Sequence, residues 1–311
     1  MVTPAPPKSK RGNRITAVRW AGLLRELNHH VEIAESYGGQ QCDALIALHA
    51  RRSAKSIAQF HRDHSGKPLI LALTGTDLYR DIFKSPTAKR SLELASRLIV
   101  LQPDAIRFLP QRHQSQCRVI IQSVKPLGRK PPPLKTVFEV CVVGHLRPVK
   151  DPFRAAMAAK LLPDSSCIRI VHLGAALSNS MERRAIAEMN TNPRYQWLGE
   201  LSHGKTLQRL ARSRLLVLSS KLEGGANVTS EAVAADVPVI SSNISGSIGL
   251  LGEDYPGYFP VGNTRKLAEL LQRTEEDHAF YRSLQTDCRR LKKLITPTRE
   301  RESWRELLAE L

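Results

Sequence analysis

Two carboxylates, Glu223 and Glu231, bracket a glycine-rich turn that runs through Gly224, Gly225, Ala226, Asn227 and Val228. Before the turn, Leu215–Leu218 is an apolar run that reads as a buried parallel strand. After it, Ala232–Ala235 reads as a helix and Val237–Ile240 as a second strand. This spacing puts Glu223 in the loop and Glu231 about one turn inside the helix. A helix that opens beside a glycine turn at the carboxyl end of a strand offers backbone N–H groups to an anion. Carboxylates beside such an anion site call for hydrogen-bond donors on the same ligand, and sugar hydroxyls supply them. A second chemistry-bearing loop follows the strand Phe138–Val143, where Gly144 leads to Arg147 and Lys150 just ahead of a helix. There Asp151 is expected to cap the helix with Pro152 at its first position, leaving the two cations to meet a diphosphate.

Three further polar loops sit at strand ends in the first half. Lys8, Lys10, Arg11, Gly12, Asn13 and Arg14 precede a helix that starts near Ile15. His49, Ala50, Arg51 and Arg52 follow the strand Ala44–Leu48, and Ser53 is placed to cap the next helix. Thr74, Gly75, Thr76 and Asp77 follow the strand Leu69–Leu73. In a parallel sheet these loops gather along one edge.

The elements that must hold these loops alternate between strand and helix, so the fold class is α/β with two doubly wound, Rossmann-like halves. The first half is read over residues 1–124, with Val2–Thr3 and Val31–Ile33 as additional strands. Val2–Thr3 is short for a first strand, as expected if residues precede Met1. A proline-rich, charged stretch at 125–136 reads as the linker. Residues 137–297 make the second half, and 298–311 form a last amphipathic helix expected to pack back on the first.

The chain has 311 residues, 41% of them hydrophobic, enough for two domains of about 150 residues each. Its five cysteines are scattered and odd in number, which fits a reducing cytoplasm better than a disulfide framework or a zinc site. No apolar run is long enough to predict membrane insertion. The net charge of +18 predicts anionic partners. Aromatic content of 5%, with no zinc-finger or RNA-binding signature, argues against specific nucleic-acid binding. No Asp-x-Asp pair, Walker lysine motif or GxSxG elbow is present, and GxGxxG is missing after every predicted strand. A nucleoside-diphosphate sugar suits the second half better than a dinucleotide does. Its diphosphate would meet Arg147, Lys150 and the amides of Gly224–Asn227, its ribose Glu231 and its sugar Glu223. With no metal motif, those cations and helix ends must stabilise the leaving diphosphate.

These residues resemble a known family. Glu223 to Glu231 matches the Glu-x7-Glu signature of two-domain glycosyltransferases of the B-type fold (GT-B), and Gly144 to Lys150 is similar to their phosphate motif. The resemblance implies two Rossmann-like domains facing a cleft, with Arg147, Lys150 and Glu223 as the catalytic set and no metal or other cofactor. In detail, the stretches Thr3–Pro7, Gly12–Asn13, Ala47–Ser53, Leu73–Tyr79, Gly144–Pro152, Leu222–Val228 and Gly252–Gly257 look like one branch, the selenosugar synthases of selenoneine biosynthesis. That branch implies UDP-N-acetylglucosamine or UDP-glucose as donor and selenophosphate as acceptor. The acceptor pocket is expected among Lys10, Arg11, Gly12, Asn13, His49, Arg51, Thr74, Gly75, Thr76 and Asp77. Two departures stand out. Gly225 occupies a position that is aromatic in many B-type transferases, and Asp236 replaces a common glycine where φ > 0 is expected. An ordinary sugar or lipid hydroxyl acceptor is the neighbouring alternative, and a non-catalytic nucleotide or nucleic-acid binder on the same fold is the distant one.

Overall fold

The computed structural model describes residues 1–9, 12–125, 128 and 130–311. By its contacts the chain forms two compact units. The first comprises Met1–Ser123, Glu223–Gly225 and Thr296–Leu311; the second comprises Val124–Leu222 and Ala226–Ile295. Of the expected linker, residues 126, 127 and 129 lie outside the described residues.

In the first unit, helix α1 (Gly12–Glu26) precedes β1 (Leu45–Leu48), α2 (Ala54–Asp63), β2 (Leu69–Leu73), the one-turn α3 (Ile82–Lys84) and α4 (Pro86–Leu94). Then come β3 (Arg97–Val100), the short α5 (Gln111–Gln114) and β4 (Cys117–Val119). Among the described residues the four strands pair in parallel in sequence order. Side chains alternate across a sheet, and both faces here are covered, so each strand is a continuous apolar run. Leu45, Ala47, Leu69, Leu71, Leu73, Leu98 and Val100 pack with Ile57 and Phe60 of α2 and Leu92 of α4. The intervening Ile46, Leu48, Ile70, Ala72 and Ile99 pack with Trp20 of α1 and with Trp304 and Leu307 of the chain's last helix.

The expected strand at Val31–Ile33 is absent, and Val2 makes single bridges to Ala34 and Ala47. Pro4, Pro6 and Pro7 have no N–H to extend that pairing, so the terminal strand stops after one bridging residue.

The second unit holds β5 (Phe138–Val143), α6 (Arg154–Ala159), β6 (Ile168–Leu173), α7 (Asn179–Thr191), β7 (Tyr195–Trp197) and α8 (His203–Arg212). It continues with β8 (Leu215–Leu218), α9 (Asn227–Ala234), β9 (Val239–Ser242), α10 (Ser245–Leu251), β10 (Tyr258–Phe259), α11 (Thr264–Glu276) and α12 (His278–Leu291). Its strands are parallel in the order β10-β9-β8-β5-β6-β7. The order reverses between β5 and β8, the place where open α/β sheets hold ligands beyond the carboxyl ends of their strands. Both chemistry-bearing loops of this half leave those two strands. Asp236, just after α9, adopts the left-handed φ of 59° that its position led us to expect. Its carboxylate pairs with both Lys130 and Lys292.

Helix α13 (Pro297–Leu308) returns to the first unit, where Trp304 packs edge-on against Trp20 with ring centroids 5.0 Å apart. The buried Glu300 of α13 accepts hydrogen bonds from Trp20 Nε1 at 2.8 Å, Ser123 N at 2.8 Å and Ser123 Oγ at 2.5 Å. Three donors replace the water this carboxylate gives up.

Candidate functional site

The loop after β5 is held from beneath. His172, at the end of the neighbouring strand β6, is fully buried, with Nε2 3.1 Å from the Gly144 carbonyl and Nδ1 3.1 Å from the Tyr195 hydroxyl. A neutral ring satisfies both contacts, with Nε2–H donating to Gly144 and Nδ1 accepting from Tyr195. Burial pushes the imidazole pKa down to about 4, so it stays neutral at pH 7. Gly174 has φ +150°, and a Cβ there would lie 2.1 Å from Gly144 O, so no larger residue fits this approach. Leu146 N donates to Ala175 O at 2.9 Å, Ala175 N to His145 Nδ1 at 3.2 Å, and Trp197 Nε1 to Gly174 O at 2.8 Å.

On this floor Arg147 is exposed and Lys150 half-buried, at either end of a single 3₁₀ turn spanning Pro148–Lys150. The expected cap at Asp151 is not made. Asp151 takes a left-handed φ of 43°, its carboxylate pairs with Arg154 Nε at 2.8 Å, and α6 begins three residues later with Phe153 in the cap position. Arg154 claims the carboxylate that the helix end would have used. The loop is also tied to the segment following β8. Ser219 Oγ donates to the carbonyls of Lys150 and Asp151 at 3.2 and 2.9 Å, and Lys221 N donates to Val149 O at 2.9 Å. A small crevice between Gly144, Lys150, Pro152, His172, Ser219 and Ser220 marks where the two loops meet.

Helix α9 opens without a side-chain cap, since its cap position is Ala226. Helices α7, α8, α11 and α12 of the same unit are each capped, by Ser178, Ser202, Asn263 and Asp277, while α6 and α10, like α9, have no side-chain cap. A helix end without a side-chain cap satisfies its first-turn N–H groups by other means, a bound anion among them. Asn227 is half-buried and Val228 buried at that end. Glu231 lies one turn in, as the spacing predicted, and is 8% exposed. Its Oε1 is 2.9 Å from Nε2 of His203, the first residue of α8. Sequence reasoning missed His203. It lies 28 positions from Glu231, and only the tertiary fold joins the two helices.

In the first unit, His49, Thr74, Gly75, Thr76 and Asp77 come together at the carboxyl ends of β1 and β2. Asp77 is fully buried and accepts from Ala50 N at 3.1 Å, Thr74 N at 3.1 Å and Gly75 N at 2.9 Å, so one carboxylate stitches both loops. His49 has φ +78° and is 3% exposed, with Nε2 3.4 Å from Thr76 Oγ1. Burial lowers its pKa, and Asp77 opposes that shift. Arg51 is exposed and pairs with Asp81 at 2.9 Å. Burial works to raise the Asp81 carboxyl, but Arg80 and Arg51 outweigh it and hold the group below the usual range. Ser53 does not cap α2 as expected, because its hydroxyl donates to Leu48 O at 2.7 Å. Gly12 and Asn13 open α1, while Lys10 and Arg11 lie outside the described residues.

Glu223, Gly224 and Gly225 group with this first unit. A Cβ on Gly224 would stand 2.5 Å from Thr74 O, and one on Gly225 would stand 2.8 Å from Leu101 Cβ. Leu101 therefore fills the space that an aromatic residue at position 225 would need. Among the described residues, no group of three His, Cys, Asp or Glu side chains is placed to hold a metal ion, and no helix is long and apolar enough to cross a membrane.

Comparison with known proteins agrees with this layout. Residues 126–291 match the glycosyl transferases group 1 family. Among solved structures, HepE of Anabaena in complex with UDP-glucose is 16% identical, with a TM-score of 0.78 over 100% of this chain and 98% of that one. The sucrose-phosphate synthase of Thermosynechococcus elongatus is 19% identical, with a TM-score of 0.67 over 86% of this chain and 74% of that one. The pneumococcal O-GlcNAc transferase GtfA in complex with UDP and GlcNAc is 15% identical, with a TM-score of 0.65 over 94% of this chain and 59% of that one. At such identities the likeness establishes the fold, two parallel-sheet α/β domains of the GT-B type.

Proposed function

The chain belongs to the glycosyl transferases group 1 family, and we propose that it transfers glucose or N-acetylglucosamine from the UDP-sugar to selenophosphate. The observation that carries the donor half is the pairing, in one unit, of an uncapped helix end at α9 with a cationic loop at Arg147–Lys150 fixed by His172 and Gly174. Arg147, Lys150 and the first-turn amides of α9 take the diphosphate and stabilise it as it leaves. Glu231 accepts from the ribose hydroxyls and Glu223 from the sugar. HepE, crystallised with UDP-glucose and matched along its whole length, supports this donor class.

For the acceptor, support comes from the branch resemblance of the first-unit loops. The selenium of selenophosphate attacks the anomeric carbon, the bond from that carbon to the UDP oxygen breaks, and UDP departs with the electron pair. Water then cleaves the Se–P bond of the glycosyl selenophosphate, giving phosphate and a 1-seleno-sugar. Selenium is a soft nucleophile already in anionic form, so the protein needs no strong general base for the first step. Gly12, Asn13, His49, Arg51, Thr74, Gly75, Thr76 and Asp77 are the described residues we assign to the acceptor. No metal or other cofactor takes part in this scheme, and free cysteines fit a reducing, cytoplasmic setting.

The test is UDP release from UDP-glucose and UDP-N-acetylglucosamine, each with and without selenophosphate, with mass spectrometry of the sugar product. Release that depends on selenophosphate, with a selenium isotope pattern in the product, is expected. UDP release driven only by hydroxyl acceptors would move the chain to the ordinary glycosyltransferase reading and leave the donor assignment standing.

A further inference from the structure

We propose that His203 is a positioning residue for Glu231 and sets the selectivity of the donor site for ribose over deoxyribose. This rests on the reading of Glu231 as the ribose acceptor.

Glu231 is a buried carboxylate among Val228, Thr229, Ala232 and Val233, all buried on the same helix. A carboxylate in such surroundings needs hydrogen-bond donors. Among the described residues His203 alone hydrogen-bonds it, at 2.9 Å to Oε1. The two side chains differ sharply in exposure, 70% for His203 and 11% for Glu231. A pair with one half this exposed adds little to stability, so its consequence is geometric. The last torsion of a glutamate is broad and two-fold, and among the described residues no second side-chain hydrogen bond fixes it here. Donation from Nε2–H to Oε1 selects one orientation of the carboxylate and leaves Oε2 as the acceptor for a ligand hydroxyl.

A vicinal diol asks for that constraint, because its two hydroxyls have a fixed separation and must meet a carboxylate in a defined plane. His203 is itself held at the first position of α8, whose cap Ser202 accepts from Lys205 N at 3.4 Å. The imidazole thus reaches Glu231 from a separate helix and gives it a fixed reference.

The experiment uses the full chain and two probes, UDP and 2′-deoxy-UDP, titrated by calorimetry. The native protein is expected to favour UDP by roughly 10-fold or more, the range for hydrogen bonds to a charged acceptor. In His203→Ala the preference should fall to about 2-fold, through weaker UDP binding with 2′-deoxy-UDP nearly unchanged. His203→Gln restores an N–H donor and should recover most of the preference. Equal weakening of both ligands in His203→Ala, or an unchanged ratio, overturns the proposal. Glu231→Ala separates the two levels. If it abolishes the preference while His203→Ala keeps it, the positioning role fails and the ribose reading stands. If Glu231→Ala leaves the ratio intact, the ribose reading fails and the proposal falls with it.

Discussion

The two units solve the same problem, holding a polar loop rigid at the end of a parallel strand, with opposite chemistry. In the first, a buried carboxylate does the holding, with Asp77 gathering backbone N–H groups from the loops after β1 and β2. In the second, a buried neutral imidazole and a glycine do it, with His172 donating to Gly144 and Gly174 closing against the same carbonyl. The difference lies in the charge each device brings to a loop proposed to meet an anion. Arg147 and Lys150 are proposed to meet a diphosphate, and a carboxylate beneath them would oppose that ligand through a low-dielectric interior. A neutral histidine fixes the loop and adds no charge. In the first unit the negative charge of Asp77 is absorbed by three amides, so it can lie under a loop whose rim carries Arg51 and Arg52.

Removing the carboxylate is the most direct way to break this comparison. Asp77→Asn keeps the volume but turns one acceptor into a donor that faces N–H groups, and it should destabilise the first unit by about 3 kcal/mol. Chemical denaturation followed by tryptophan fluorescence reads this well, because Trp20 and Trp304 both lie in the buried core of that unit. UDP affinity, a property assigned to the second unit, should change less than 2-fold in native conditions. A loss of under about 1 kcal/mol would show that the loops hold without the charge, and the contrast with His172 would collapse.

The cations of the second loop come next in size. Arg147→Ala and Lys150→Ala should each lower kcat/KM for UDP-sugar turnover by about 100-fold, roughly 2.7 kcal/mol of transition-state stabilisation. Arg147 is exposed, so its variant should unfold at the native midpoint. A fall of only a few-fold with a raised KM would instead make these cations simple ground-state ligands, and the case for a charge-neutral floor would weaken.

How much of this was legible beforehand depended on whether the cause was local. The α/β alternation, the strands Leu45–Leu48 and Leu69–Leu73, the position of Glu231 on its helix and the left-handed Asp236 all follow from apolar runs, spacing and steric preference close by in the chain. The errors share another origin. Asp151 and Ser53 are good capping residue types, yet each side chain serves a different partner, Arg154 Nε in one case and Leu48 O in the other. Local propensity cannot see such competition. His203 and His172 were invisible for the same reason, since Glu231 lies 28 residues from the first, and Gly144 and Tyr195 lie 28 and 23 from the second.

The smallest expected effect tests the neutral histidine itself. In the unfolded chain His172 titrates near 6.5, and burial lowers it to about 4 in the fold. Between those values the unfolded state binds the proton and the native state does not, so stability is lost as pH falls from 6.5 towards 4 and is unaffected above that window. The slope is at most about 1.4 kcal/mol per pH unit. Between pH 7 and 5.5 the native protein should therefore lose about 1 kcal/mol more than His172→Gln, whose amide can still donate to Gly144 but does not titrate. His49 and His113 are also lowered by burial and contribute with the same sign, but both remain in the variant and cancel in the difference. Equal losses in the two proteins would mean that His172 takes up its proton over the same pH range in the fold as in the unfolded chain. The loop after β5 would then rest on an imidazole that charges as readily as one in water, and the contrast with the buried carboxylate of the first unit would lose its neutral member.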